Sequence, residues 1–125
     1  MAIVYRYEIE CEREDNVFGA YTATECFTGE KLESYLYLRR EMVSQHSDDA
    51  HPCIREDLAM FEYGVHYCAC LTIKSLKDWF KGFNISLKRL GFKLVEVEVA
   101  EIFETESGLQ VAYKLEDIIN KKVLK

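Results

Sequence analysis

The side chains able to do chemistry in this chain fall into a few places. His66, Cys68 and Cys70 alternate along one apparent strand, with His51 and Cys53 upstream. That set invites a metal reading, because zinc takes four nitrogen or sulfur ligands at about 2.0–2.3 Å in a tetrahedron. Residues two apart on a strand stand roughly 7 Å apart at their bases. A straight strand therefore does not gather three ligands round one ion, and no C-x-x-C pair is present. Free cysteines packed as small hydrophobes are the better reading, and no metal is expected.

The stretch from Gln45 to Asp57, QHSDDAHPCIRED, holds the only proline and two of the three histidines. Cys53 follows His51 closely and Asp57 is near, so the parts of an activated thiolate share one segment. No oxyanion-hole glycines accompany them, which counts against catalysis. His51, Arg55, Glu56 and Asp57 could instead bind a small polar or phosphorylated ligand, with the Arg55 guanidinium as a bidentate fork. Arg6, on the first strand, is expected to join them across the sheet edge. The competing reading is a solvated acidic loop with local turn bonds from Ser47, Asp48 and Asp49. Trp79-Phe80 offers a stacking surface but lies on an apolar helical stripe, where core packing is the expectation. Glu96 and Glu98 share one strand face and read as an exposed sheet surface.

These residues need elements to hold them. Ile3, Tyr5, Tyr7 and Ile9 alternate with Val4, Arg6, Glu8 and Glu10, which predicts a half-buried strand with a charged outer face. Residues Cys11–Phe18 read as a polar loop, and Gly19–Phe27 fits a short strand or irregular chain. Thr28 is placed as N-cap of a helix through Ser44, with Leu32, Tyr35, Leu36, Met42 and Val43 as its apolar positions. The loop through Asp57 follows. Tyr63–Ile73 reads as a strand at the centre of a sheet, apolar or small on both faces. Ser75 is expected to cap the next helix, whose stripe is Leu76, Trp79, Phe80, Phe83, Leu87 and Leu90. Gly82 and Asn84 divide it, and Gly91 ends it in the left-handed conformation. Phe92–Ala100 is a strand, Glu106-Ser107-Gly108 a hairpin turn, and Leu109–Leu115 a further strand. Glu116–Leu124, acidic first and lysine-rich last, is expected to close the chain as a short helix.

The arithmetic agrees with one domain over residues 1–125. A chain of 125 residues with 49% apolar side chains buries enough surface for one core and is not disordered. Five irregularly spaced cysteines argue against a secreted disulfide framework. No signal peptide or bilayer-length apolar run is seen, so a cytoplasmic protein with no membrane partner is expected. Twenty-two acidic against 16 basic side chains give a net charge of −6, which excludes a DNA-backbone binder of the usual basic kind. The expected fold is a single compact α+β domain, a mostly antiparallel sheet packed by two or three helices.

The motifs, in order, resemble a group of small uncharacterised proteins encoded by phages and prophages. They are Tyr5-Arg6-Tyr7, Asp15, Gly19-Ala20-Tyr21, His51-Pro52, Asp57, Tyr67-Cys68, Ser75-Leu76, Trp79-Phe80, Leu90-Gly91-Phe92, Val95–Val99 and Gln110-Val111-Ala112-Tyr113. Their joint order carries the resemblance, which covers most of the chain outside Gly29–Gln45 and the last ten residues. Ala69-Cys70 departs from the group, which tends to have an aromatic there. The resemblance implies a phage accessory protein acting by binding, in the host cytoplasm. Its partner would be a host defence protein or a sequestered nucleotide-like signalling ligand; a homo-oligomer is a further option. An alternative is similarity to ADP-ribosyltransferase-like domains, in which Arg6 and Ser75 would hold NAD. Gln110 then stands where a glutamate is needed, and an amide cannot act as a base. Binding without catalysis, and without a resident cofactor, is the expectation.

Overall fold

The computed structural model describes residues 1–11, 16–45, 54–62 and 65–124. The chain order is β1 (Ala2–Cys11), β2 (Asn16–Gly19), α1 (Gly29–Gln45), α2 (Ile54–Asp57), β3 (His66–Ala69), α3 (Ile73–Trp79), α4 (Asn84–Leu90), β4 (Lys93–Val99), β5 (Phe103–Glu104), β6 (Val111–Lys114) and β7 (Ile118–Leu124). The strands form two antiparallel sheets, β2-β1-β4-β7 and β3-β6-β5. Among the described residues a single bridge joins them: Tyr5 and Cys70 exchange backbone hydrogen bonds of 2.8 and 2.9 Å. This is the expected α+β domain.

Two cores lie on opposite faces of the larger sheet. On one face Tyr7 and Leu94 pack with Tyr35 and Met42 of α1, Phe80, Phe83 and Leu87. On the other, Val4, Val95, Val97 and Val99 meet Ala69, Val111 and Tyr113 of the smaller sheet. The larger sheet is thus covered twice, which overturns the half-buried reading of β1. Val4 is fully buried and Ile3 is 46% exposed, the reverse of the expected sides. Alternation in one strand shows two faces but not what covers each; here the second sheet covers the face that carries Arg6 and Glu8.

Several boundaries also move. The strand expected over 63–73 is only His66–Ala69, and β3 sits beside β6 with just the Tyr5–Cys70 bridge on its other side. Thr72, not Ser75, is the N-cap of α3: its hydroxyl oxygen accepts from the Ser75 amide at 3.0 Å. That bond starts the helix at Ile73 and ends any strand before it. The polar segment after Cys11 contains β2, held by pairing Glu8 through Cys11 with Gly19 through Asn16.

The largest correction is at the C-terminus, where a helix was expected and β7 is found. Leu115–Asp117 form one 3-10 turn, after which Ile118 to Leu124 pair along β4. So short a segment cannot sustain a helix without packing, and its β-branched residues suit the open edge beside β4.

Elsewhere local signals hold. The break between α3 and α4 falls where Gly82 takes φ 91°, and Gly91 caps α4 at φ 106°. Gly108, at φ 71°, turns the β5–β6 connection and donates its amide to the Thr105 carbonyl at 3.2 Å.

Candidate functional site

Arg6 extends from β1 into the layer between the sheets. Its Nε lies 3.3 Å from Glu8 Oε2, its Nη1 donates to the Tyr113 hydroxyl at 3.4 Å, and its guanidinium carbon stands 4.6 Å above the Tyr67 ring. Its other terminal nitrogen occupies the space that a Cβ on Gly19 would need. Lys121 reaches Glu8 from β7, donating to Oε1 at 2.9 Å. Burial by itself would lower the pKa of Arg6, but facing Tyr113 and Glu8 outweighs it and holds the guanidinium above its ordinary value. Burial also pushes the Tyr113 phenol up to about 12 and raises the nearby Cys68 thiol. The cluster is therefore an ionic joint between β1, β2, β6 and β7, two cations sharing the Glu8 carboxylate.

Asp57 ends α2 and makes a second joint. Its Oδ1 accepts from the Ser107 amide at 2.7 Å; its Oδ2 accepts from the Ser107 hydroxyl at 2.6 Å and from Gln110 Nε2 at 3.1 Å. Burial would raise this carboxyl's pKa, but the hydrogen bonds from Ser107 and Gln110 win and hold it below the ordinary carboxylate range. Asp57 thus ties α2 to the β5–β6 turn, and the Gln110 amide is engaged in the same network.

The structure brings Asp57 together with Gln110, and Arg6 with Glu8 and Tyr113. Ser75 lies in the first turn of α3, its hydroxyl accepting from that of Thr72 at 2.8 Å. His51 lies outside the described residues, as does the Arg55 side chain. His66 is buried between Phe61 and Phe103, and its Nδ1 accepts from the Glu62 amide at 3.1 Å. Burial pushes the Cys70 thiol up to about 12. Trp79 packs against the helical core and donates to the Tyr21 hydroxyl at 3.0 Å; Phe80 is buried.

The surface that sequence reasoning missed is the outer side of α1. Tyr35, Leu38 and Met42 take the inner positions, so Leu36 and Val43, expected among the apolar contacts, turn outward at 40% and 50% exposed. Beside them Tyr37 is 62% exposed. Leu36, Arg39, Arg40, Val43 and Ser44 line an open trough of about 500 Å³. Arg39 is anchored there by its Nε, which donates to the Tyr21 carbonyl at 2.7 Å. A signal was available: Leu36, Arg40 and Val43 fall at i, i+4 and i+7, a second stripe round the helix from the first. The trough thus combines an aliphatic floor with two guanidinium groups and the Ser44 hydroxyl.

Two buried polar joints and an exposed face of α1 thus mark out a small α+β domain. Residues 1–124 match the family described as Bacteriophage T4 Y00F protein, and the chain belongs to that family. No curated protein and no solved structure matches it significantly.

Proposed function

We propose that this phage-family protein acts by binding a host protein through the outer face of α1, without catalysing a reaction. The supporting observation is the trough of Leu36, Arg39, Arg40, Val43 and Ser44, flanked by the exposed Tyr37. Tyrosine and arginine around aliphatic contacts are the side chains that carry most binding energy at protein interfaces. The two arginines favour a partner segment that combines apolar anchors with carboxylates. Counteracting a host defence factor is the role such a surface would serve in a phage protein.

The nucleotide-sequestering reading draws less support. Asp57 is held by Ser107 and Gln110, and Arg6 by Glu8 and Tyr113. The ADP-ribosyltransferase reading has the same difficulty, with Ser75 engaged at a helix start.

The test is a host-lysate capture, repeated with each captured protein in purified form, using the wild type and the double variant Leu36→Glu, Val43→Glu. The expected result is one host protein that binds the wild type, weakens with salt and fails to bind the double variant. Equal binding by both would remove α1 from the interface. A thermal-shift series with NAD, cyclic nucleotides and ADP-ribose should show no stabilisation. A ligand at 100 times its Kd would add about 2.7 kcal/mol, so a clear shift would revive the small-ligand reading.

A further inference from the structure

β7 forms one edge of the larger sheet, bonded to β4 on one side. Among the described residues no strand pairs with its other side. An edge of seven residues offers a row of backbone donors and acceptors to another strand, and proteins commonly block such edges with lysine. The lysines here are differently occupied. Lys121 is bonded to the buried carboxylate of Glu8, and Lys122 stands opposite Glu96 in the β4–β7 register. The Lys121 charge is thus answered within the chain, while Ile119 and Val123 remain 51% and 55% exposed.

The sequence of this edge is complementary to itself. We infer that β7 pairs with the β7 strand of a second copy of this chain, antiparallel about a two-fold axis at Lys121. In that register Ile119 faces Val123 of the partner subunit, and Val123 faces Ile119 of the partner subunit. Each pair is apolar, and each exposed aliphatic of the edge gains a cross-strand neighbour at about 4.5–5.5 Å. Lys122 faces Asn120 of the partner subunit. The row across the junction then reads Glu96, Lys122, the partner's Asn120 and the partner's Glu98, since β4 sets Glu96 beside Lys122 and Glu98 beside Asn120. The carboxylates lie outside and the ammonium inside, an attractive order. Lys121 meets Lys121 of the partner subunit at the axis, each ammonium drawn toward its own Glu8. Two four-stranded sheets thereby become one continuous sheet, closing the two β7 edges on a two-fold axis.

This inference is independent of the α1 reading, because β7 and the α1 trough share no residue. Sedimentation equilibrium across micromolar concentrations should find a species of twice the 14.6 kDa chain mass that dissociates on dilution. The double variant Ile119→Lys, Val123→Lys should sediment as monomer with unchanged far-ultraviolet circular dichroism. Lys122→Glu, which places a third carboxylate in the row, should weaken the dimer at least tenfold if the double variant proves unstable. In an equal mixture of ¹⁴N and ¹⁵N protein, an amine cross-linker should join β7 peptides of mixed isotope. A wild type that stays monomeric throughout, or a dimer that survives Lys122→Glu with no mixed β7 cross-link, would overturn the proposal.

Discussion

Asp57 and Ser107 are joined twice: the Ser107 amide donates to Oδ1 at 2.7 Å and its hydroxyl to Oδ2 at 2.6 Å. The last residue of α2 thus fixes a turn fifty positions later in the chain. Hydrogen bonds to a charged group contribute about 1.5–3 kcal/mol. Asp57→Asn should therefore destabilise the fold by about 2 kcal/mol in urea titration, since its amide would meet the Gln110 amide donor.

The same contact sets a pH dependence. Hydrogen bonding holds the Asp57 pKa below its unfolded value, against the opposing effect of burial. Its stabilising contribution is then complete above the ordinary carboxylate range, about pH 4, and is lost as pH falls through the lowered folded value. Urea midpoints of wild type and Asp57→Asn should differ most at neutral pH and converge in acid. A gap that widens on acidification would contradict this direction.

Gly19 has no left-handed backbone requirement, yet the terminal nitrogen of Arg6 occupies the space of a Cβ. Arg6 cannot swing freely away, because Glu8, Tyr113 and Tyr67 surround it. Gly19→Ala should cost about 1–3 kcal/mol, the range for overpacking. In an Arg6→Lys background, where the side chain is slimmer, the same change should cost less than about 0.5 kcal/mol. A double-mutant cycle on denaturant stability measures that coupling.

The start of α3 separates two serine-threonine roles. Thr72 Oγ1 accepts from the Ser75 amide, so Thr72→Ala should cost about 1 kcal/mol, as cap removals do. Ser75→Ala keeps that amide bond and should stay within about 0.5 kcal/mol. Thermal melts of the two variants, compared with the wild type, check the order.

That pair also shows how far the sequence could be followed. Both Thr72 and Ser75 are good caps, and only the end of β3 decides between them. Signals confined to a few neighbouring residues, such as Gly91 after Leu90 or Gly82 before Asn84, carried through because backbone sterics act locally. β4 was legible because Val95, Val97 and Val99 alternate against a buried face. The inside of β1 and the strand character of Ile118–Leu124 were not, since each depends on a partner far away in sequence: the smaller sheet for one, β4 for the other. The candidate surface on α1 was hidden for a related reason. Leu36 and Val43 look like core residues until Tyr35, Leu38 and Met42 are seen to fill the core side.

Glu8 answers two cations at once, Arg6 at 3.3 Å and Lys121 at 2.9 Å. Its side chain is 4% exposed, against 11% for Arg6 and 29% for Lys121. The three members should therefore respond unequally to removal. Glu8→Gln leaves the Arg6 guanidinium buried without its countercharge, a change that costs about 3–5 kcal/mol in comparable buried pairs. Lys121→Met removes a partly hydrated charge and leaves Glu8 still facing Arg6, so it should cost no more than about 1 kcal/mol. Urea unfolding at low protein concentration, where any association is absent, measures both. Equal losses would mean that Lys121, and not Arg6, is the cation that makes the Glu8 carboxylate tolerable in the layer between the sheets.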